Sequence, residues 1–313
     1  MCCGLCAVAG PAWAQLADSA GDSLGGSADG VGAGGVAGSV SSSLSLSQED
    51  DGGWRIGEGL PKWTVRIEPG VSYFGLSGDF TFPGAPAGGS SSEFELQNLN
   101  FDAPRLSVMG EVHIARGRDR FIIEGAGFSG SRMFVSPDEL TLGPASLSVG
   151  DSGSLSIEYE TFSMQGVRRV VSRASGLTAD GRDRVAFGLD VGGGLRFHRV
   201  DANAGAVGAV GSTTRASVNE VFAEPFVTAR LKLDVDERFG MEGRFEFGGM
   251  GLGDRTSVTG NLVVAFTWRP TPTVGVQTGY RLQGFLLQSG DGADEFEWSG
   301  AMAGLFWGVS LSF

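Results

Sequence analysis

The stretch FWGVSLSF, residues 306–313, gives the clearest indication of the fold that we predict for this chain. Only glycine and serine separate its apolar residues, which occupy every second position: Trp307, Val309, Leu311 and Phe313. This period of two is typical of a β-strand with one apolar face, because successive side chains of a strand point in opposite directions. A terminal Phe on an edge strand of a soluble protein would fray or promote aggregation. We therefore expect the last strand to be paired on both sides, in a closed barrel whose apolar face contacts lipid.

The period of two continues through most of the chain from Trp63 onward. In residues 185–198, VAFGLDVGGGLRFH, one face carries Val, Phe and Leu, and the other carries Asp190, Arg196 and His198. Residues 221–233 and 239–248 repeat this pattern. Further runs begin near Leu106, Phe121, Val258, Val274 and Ser299, and a weaker one surrounds Leu155, Ile157 and Tyr159. Together these runs predict an all-β chain of about ten strands, within a range of about 8–12.

Short and long connections alternate between the predicted strands. Short links are expected at 116–119, 234–238 and 270–273, and a longer link at 173–184 falls where another short one is expected. Longer polar connections are expected at 77–104, 130–153, 201–217, 250–256 and 287–295. This order predicts a single antiparallel up-and-down transmembrane barrel over residues 61–313, with tight turns at one end and loops at the other. An even strand number places both ends of the barrel domain on the side of the short turns.

The composition agrees with an all-β membrane protein. Charged residues make up 19% of the 313 residues and apolar residues 41%, and there are 53 Gly and 21 Phe. Many short strands and crowded turns require such a glycine content. The net charge of −13 argues against a nucleic-acid partner, because binding to phosphates needs a basic surface.

Residues 1–14 are predicted to be a signal peptide that ends in the small-x-small pattern Ala12-Trp13-Ala14. No Lys or Arg precedes Arg55, so we expect the true start of the signal peptide to be missing. The chain's three cysteines all lie within the first six residues. Cleavage after Ala14 would remove them, and with them any disulfide framework or thiol catalysis.

Residues 15–60 are rich in Ser, Gly and Ala and predict a flexible leader, since such a segment buries too little apolar surface to fold alone. The alternative is a plug that folds into the barrel. GVGAGG, residues 30–35, matches a dinucleotide-binding spacing by chance, because no strand precedes it and no helix follows.

Alternation alone does not say which face of the barrel is outside, and a lipocalin-like soluble barrel would have the opposite sense. The polar face carries charges of both signs, which suit a narrow lumen where each charge has a partner: Glu111, Glu124, Asp190, Arg196, Glu224, Arg230, Lys232, Glu242, Arg244, Glu246 and Arg281. Aromatic residues of the apolar face recur at the short-turn end, as in a membrane-interface belt: Trp63, Phe121, Phe187, Phe239, Trp268 and Phe313. Both features favour the membrane barrel.

The stretch WGVSLSF, residues 307–313, resembles the C-terminal insertion signal of Gram-negative outer-membrane β-barrel proteins. Trp307, Val309, Leu311 and Phe313 match the alternating apolar pattern of that signal. The resemblance implies a small barrel of about ten strands in the outer membrane, with both termini periplasmic. It also implies contact with outer-membrane lipid and lipopolysaccharide, and with the barrel-assembly machinery during insertion.

Two histidines are the candidates for chemistry. His113 is expected beside Glu111 near the short-turn end. His198 is expected near Arg196 and Asp201 at the outer mouth of the lumen, where a rim enzyme would need an imidazole next to a carboxylate or hydroxyl. Residues 291–297, DGADEFE, cluster four carboxylates but lack the ligand spacing of a calcium loop. We expect no catalytic residue, cofactor or metal.

The pattern favours a structural or interaction barrel that presents loops 77–104 and 130–153 outside. Ten strands with bulky inward side chains should leave the lumen largely closed, since wide aqueous pores need about 16–18 strands. The alternatives are a narrow channel for small solutes or ions, a rim enzyme that uses His198, and a soluble periplasmic barrel.

Overall fold

The computed structural model describes residues 63–84, 93–136, 139–177, 183–207, 213–236 and 238–313. The predicted signal peptide and leader lie outside the described residues. No helix in this part of the chain is long and apolar enough to span a membrane.

Ten long strands form the wall of one barrel. They are β1 (Trp63–Thr81), β3 (Arg105–Arg116), β4 (Asp119–Val135), β7 (Ser152–Leu177), β8 (Asp183–Val207), β9 (Thr213–Val235), β10 (Phe239–Leu252), β11 (Arg255–Trp268), β12 (Val274–Ser289) and β13 (Phe296–Ser312). Shorter elements lie at the loop end, namely β2 (Phe94–Glu95), the hairpin of β5 (Leu140–Leu142) and β6 (Ala145–Leu147), and the 3-10 segments Leu96–Leu99 and Gly292–Asp294. Each long strand pairs antiparallel with the next along the chain.

The barrel closes between its first and last strands. Val71 of β1 lies opposite Trp307 of β13, and Ile67 lies opposite Leu311. At the short-turn end, the Phe313 backbone N–H donates to the Val65 carbonyl at 2.9 Å, and the Val65 N–H donates back at 3.2 Å. The prediction of a single ten-stranded antiparallel up-and-down barrel is therefore confirmed.

The strands differ in length, and three predicted connections are mostly strand, namely the link expected at 173–184, where β7 continues to Leu177 and β8 begins at Asp183, and two loops. β8 continues to Val207 and β9 begins at Thr213, within the loop expected at 201–217. Gly253 and Asp254 alone connect β10 to β11, where a loop at 250–256 was expected. The alternation continues here with small residues, and alanines fill the inward positions of β8. The outward-facing residues of this extension are polar and no longer apolar, so its sequence looks like that of a loop.

The apolar face of the strands points outward. Leu195, Val227 and Leu231 are half-exposed on the outer wall, with 50%, 64% and 50% of their surface accessible. By contrast, Arg230 and Arg244 lie inside with at most 2% accessible. An apolar exterior around a polar interior is the arrangement of a transmembrane barrel and the reverse of a lipocalin-like one.

The inner face is not polar along its whole height. Leu155, Ile157 and Tyr159 of β7 point inward and are at most 1% accessible, whereas Phe162 faces outward. They join an apolar core that fills the loop-end half of the interior, with contributions from β1, β4, β8, β9, β12 and β13. This core explains why the alternation of β7 reverses its sense in the sequence.

Candidate functional site in the barrel interior

The short-turn half of the lumen is filled by ion pairs that cross the barrel. Arg244 of β10 lies 2.9 Å from Glu124 of β4 and 3.0 Å from Glu111 of β3. Arg281 of β12 also contacts Glu124, and Arg230 of β9 lies 3.4 Å from Glu111. Five strands thus send charges to one central cluster. Buried charges require such partners, because an unpaired one would keep its full desolvation cost.

A second cluster surrounds Arg196 of β8. Its guanidinium pairs with Glu224 at 3.4 Å and contacts Glu246, and it donates to the Thr259 hydroxyl at 2.7 Å. The same guanidinium lies 4.4 Å from the centre of the Phe226 ring. The Asn261 amide donates to Glu246 at 2.9 Å. These contacts fix the arginine on both its polar and its aromatic side.

The remaining predicted lumen charges lie closer to the short turns. Asp190 accepts hydrogen bonds from Arg120 at 3.1 Å and from Arg169 at 2.9 Å. Lys232 pairs with Glu242 at 3.0 Å. The structure therefore places all eleven predicted charges on the inner face and brings them into connected networks.

A small polar cavity of about 40 Å³ opens among these residues at the short-turn end. Its lining includes Arg66, Glu68, Lys232, Asp234 and Glu242. Positive and negative side chains thus both line this cavity, and no single sign of charge dominates its wall.

The loop-end half of the lumen is filled by aromatic and aliphatic side chains, which we call the apolar plug. The Trp298 ring lies 4.5 Å from the Phe285 ring centre, 5.4 Å from Tyr159 and 5.6 Å from Phe80. Ring pairs at these distances favour tilted and edge-to-face packing. The apolar plug closes the interior directly above the ion pairs.

Both long loops contribute to the apolar plug, which corrects the expectation that they are simply presented outside. Leu96 and Phe101 are fully buried after β1, and Leu142 and Leu147 of the β5–β6 hairpin are 2% accessible. Parts of the expected loops at 77–104 and 130–153 also belong to β1, β4 and β7. The physical reason is that apolar side chains within these loops find buried surface only by folding over the lumen.

His198 lies between the ionic layer and the apolar plug rather than at an outer rim. Its side chain is completely buried, with Nδ1 2.8 Å from the Tyr159 hydroxyl and Nε2 3.3 Å from Glu224. The Gln283 amide donates to the same hydroxyl at 2.8 Å. Asp201, the expected neighbour, lies three positions after His198 in β8. Residues an odd number of positions apart in a strand point to opposite faces, so Asp201 faces outward. The prediction of an accessible rim histidine is wrong.

His113 is buried at the other end of the ionic layer. Its Nε2 atom lies 3.1 Å from both Glu68 and Glu111. These three residues could offer ligand atoms to a metal ion within 4.8 Å of one another. However, Arg66 already pairs with Glu68 at 3.0 Å, while Arg230 and Arg244 pair with Glu111. Guanidinium groups so close oppose a further cation, and the cluster is best described as part of the ion-pair network.

The acidic segment 291–297 folds as a short turn at the loop end. Residues 292–294 form a 3-10 turn, and the Gln288 amide donates to Glu295 at 2.9 Å. Phe296 is buried in the apolar plug, so only part of the segment faces solvent.

The six predicted belt aromatics all lie on the outer wall near the short turns, and each is at least 38% accessible. The guanidinium carbon of Arg116 lies over the Trp63 ring, 5.3 Å from the centre of that ring. Phe239 lies opposite Trp268 on the neighbouring strand. The residues of the predicted insertion signal share this wall. Trp307 lies beside Thr278, Val309 beside Val276 and Leu311 beside Val274.

Neither a protein-family model nor a curated protein matches the sequence. Among solved structures, the barrel is similar to Ail, the attachment invasion locus protein of Yersinia pestis, with 11% identity, a TM-score of 0.29, and 80% of this chain and 99% of that chain covered. It is also similar to Neisserial surface protein A, with 12% identity, a TM-score of 0.30 and coverage of 82% and 100%. The toluene transporter TodX of Pseudomonas putida gives 8% identity, a TM-score of 0.28 and coverage of 79% and 89%. Scores this low carry no argument about function, and the fold assignment rests on the paired strands themselves.

Sequence reasoning missed several residues of the lumen. Glu68, Tyr159, Gln283 and Trp298 all make contacts that organise the interior. For Glu68, the signal was its polar position in the alternation of the first strand. For Tyr159 and Trp298, an aromatic residue at an inward position could not be distinguished from a lipid-facing one without knowing the sense of the face.

Proposed function

We propose that this protein is an outer-membrane β-barrel with a structural or interaction role and a lumen closed to solutes. The observation that supports it most is the succession of two filled layers across the interior. Arg196, Arg230 and Arg281 are at most 2% accessible in the ionic layer, and Trp298 is fully buried in the apolar plug above it. A hydrated ion would have to displace buried ion pairs and then cross a dry aromatic layer.

The proposal places the short-turn end and both termini in the periplasm. The outward-facing apolar positions of β8 run from Val185 to Phe197 and are followed by the polar residues Arg199 and Asp201, so the outer wall changes from apolar to polar where a bilayer would end. A transmembrane strand needs about 9–11 residues, which this run satisfies. The proposal includes insertion by the barrel-assembly machinery through Trp307, Val309, Leu311 and Phe313, and contact with outer-membrane lipid and lipopolysaccharide.

Planar-bilayer recording on detergent-refolded protein tests the closed lumen. Folding is checked first, by a shift in electrophoretic migration between unboiled and boiled samples. We expect flat traces from the wild type and from Trp307→Ala, which changes a lipid-facing Trp. The Trp298→Ala variant, which thins the apolar plug on the same strand, is expected to raise the frequency of leak events. Discrete unitary steps from folded wild-type protein would contradict a closed lumen.

The second candidate is a narrow channel, which the small polar cavity of about 40 Å³ at the short-turn end favours. Its polar lining and its size leave room for a few water molecules in this part of the lumen. This candidate requires the apolar plug to move, and it predicts those same unitary steps in the wild type. A rim enzyme based on His198 would need an accessible imidazole, whereas the His198 side chain is completely buried.

A further inference from the structure

A groove of about 650 Å³ crosses the outer wall where its exposed face changes from apolar to polar. Glycines of β3 and β4 form its floor, and larger apolar side chains of β3, β7, β8 and β9 form its sides. The floor residues are Gly110, Gly125 and Gly127, and the sides are formed by Val108, Phe162, Phe197 and Val221. All four side residues are at least 36% accessible, so the groove faces the surroundings of the barrel and not its lumen.

The glycines of the floor are not required by strand packing. A Cβ atom at Gly125 would meet nothing closer than the Thr161 carbonyl at 4.0 Å, and one at Gly127 would lie 3.6 Å from the Tyr159 carbonyl. Both are ordinary van der Waals distances, and larger side chains would fit outward from them. The absence of side chains at these positions therefore leaves a hollow in the outer wall that the packing of the strands does not require.

A regular polar surface continues directly above the groove on β4, β7, β8 and β9, and we call it the polar ladder. Its residues lie side by side across the strands in two outward-facing rows. The lower row is Ser129, Glu158, Asp201 and Asn219, and the upper row is Ser131, Ser156, Asn203 and Ser217. Asp201 accepts hydrogen bonds from the Asn203 amide at 2.8 Å and from the Asn219 amide at 3.2 Å. These bonds hold the amides and the carboxylate in place on the outer wall of the barrel.

Arg199 and Glu160 mark the boundary between the groove and the polar ladder. Their side chains lie 3.6 Å apart, and about half of each is accessible. Glu158, Glu160 and Asp201 together place more negative than positive charge around the guanidinium of Arg199. Carboxylates accept hydrogen bonds from hydroxyl groups, and amides both donate to hydroxyl groups and accept from them, so this arrangement suits a saccharide.

We propose that the groove and the polar ladder together bind one outer-leaflet glycolipid, with an acyl chain in the groove and the saccharide on the ladder. The change from apolar to hydroxyl-binding chemistry along the same strands matches a molecule with both parts joined end to end. The inference rests on the proposed outer-membrane placement and lipopolysaccharide contact, and it adds the site and the part of the lipid that each surface binds.

The test uses the full barrel reconstituted in phospholipid nanodiscs, with lipopolysaccharide as the probe and native mass spectrometry as the readout. Gly125→Leu fills the groove. Gly243→Leu is the matched control, because Gly243 also faces outward, on β10, and an added Cβ there meets nothing within 4 Å. We expect the wild type and Gly243→Leu to retain lipopolysaccharide, and Gly125→Leu to retain it about tenfold less.

A second variant tests the saccharide half of the site without altering the groove. Asn203→Ala combined with Asn219→Ala removes two fixed amides from the polar ladder, and Thr256→Ala on β11 is its control. The double variant is expected to weaken lipopolysaccharide binding several-fold while leaving retention of phosphatidylglycerol unchanged. This variant keeps the proposal testable if Gly125→Leu does not fold.

Three results would overturn the proposal. Phosphatidylglycerol of the same chain length could compete equally, which would make the groove a general lipid contact. Gly125→Leu could abolish a dimer that forms without glycolipid, which would assign the groove to a second copy of the chain. Folded wild-type protein could retain no lipopolysaccharide at all. Failure of the barrel to fold into lipid would instead contradict the proposed function, so the two failures are distinct.

Discussion

Arg244 and Glu124 lie 2.9 Å apart across the barrel interior, although 120 positions separate them in the chain. Glu124 also receives Arg281, so one carboxylate holds two guanidinium groups from the opposite wall. Glu124 is 3% accessible and Arg244 is 2% accessible. The pairing thus joins β4 to β10 and β12 through the lumen, in addition to the hydrogen bonds between neighbouring strands.

Removing this carboxylate should destabilise the barrel strongly. In Glu124→Ala, Arg281 and Arg244 lose a partner while staying buried, and we expect a loss of about 3–5 kcal/mol in the free energy of unfolding. Urea unfolding in phospholipid vesicles, followed by Trp fluorescence, measures it. Asp119→Ala is the control, because Asp119 pairs with Arg168 at 3.9 Å with both side chains about 70% accessible. That change should cost less than about 1 kcal/mol, and equal losses in the two variants would refute the role of burial.

Gly194→Ala should destabilise the barrel, whereas the same substitution at a glycine of the outer wall should not. A Cβ atom at Gly194 would lie 2.0 Å from the Met164 carbonyl, so β7 and β8 would have to separate. We expect a loss of about 1–3 kcal/mol, as for overpacked cores. Gly243→Ala has open space and should be close to neutral under the same unfolding conditions. Wild-type stability of Gly194→Ala would show that the strands adjust freely here.

The aromatic terminus is expected to govern assembly more than stability. Phe313→Ala removes the last residue of the predicted insertion signal, whose side chain is 76% accessible in the folded barrel. We expect a several-fold lower amount of heat-modifiable barrel in isolated outer membranes, with little change in urea unfolding of the refolded protein. Phe121→Ala removes another belt aromatic and should leave the assembled amount nearly unchanged. Equal assembly of both variants would argue against the signal.

The loop-end edge of the β1–β13 seam should become less stable as pH rises. Burial raises the pKa of Asp79 above its ordinary value of 3.8, and Glu93 and Glu95 raise it further. Burial likewise raises the pKa of Glu297 above 4.5, with added repulsion from Glu295. The folded state therefore holds these protons more tightly than the unfolded state, so stability falls as pH rises through the interval above those ordinary values, and the loss persists at neutral pH.

Hydrogen exchange at the outer ends of β1 and β13 measures this effect at pH 4 and pH 7. Protection should be greater at the lower pH after correction for intrinsic exchange. Asp79→Asn combined with Glu297→Gln should make protection at pH 7 higher and its pH dependence weaker. Asp254→Asn, in the turn between β10 and β11, should keep the wild-type behaviour of this edge. Greater protection at pH 7 in the wild type would reverse the predicted sign.

The sequence was sufficient for the ring of strands because period two is a local property. Leu231 outward and Arg230 inward follow from one alternation, and lipid-facing residues must be apolar. The expectation that apolar residues face outward failed at the loop end, where the inner face becomes apolar and the outer face becomes polar. Leu155 and Tyr159 are apolar but point inward, because the apolar plug replaces the ionic layer at that height.

The lumen contacts were less predictable because they join strands distant in the chain. That Glu124 meets Arg244 depends on the stagger of the whole ring and not on any local spacing. His198 was placed at the rim because the continuation of β8 to Val207 looks like a loop in the sequence. Whether a loop folds outward or over the lumen likewise depends on space that only the closed barrel defines.

The pairing of Val71 with Trp307 has a consequence for how the molecule comes into being. All other neighbouring strands of the wall follow one another in the chain and can begin to pair at the turn that connects them. The pairing of β1 with β13 forms only when two segments that are distant in the chain come together. Before closure, β1 and β13 are unpaired edge strands, and each could form hydrogen bonds with a strand of another polypeptide. Ring closure is therefore the step at which we expect folding to be slowest and the unfinished sheet to be most prone to aggregation.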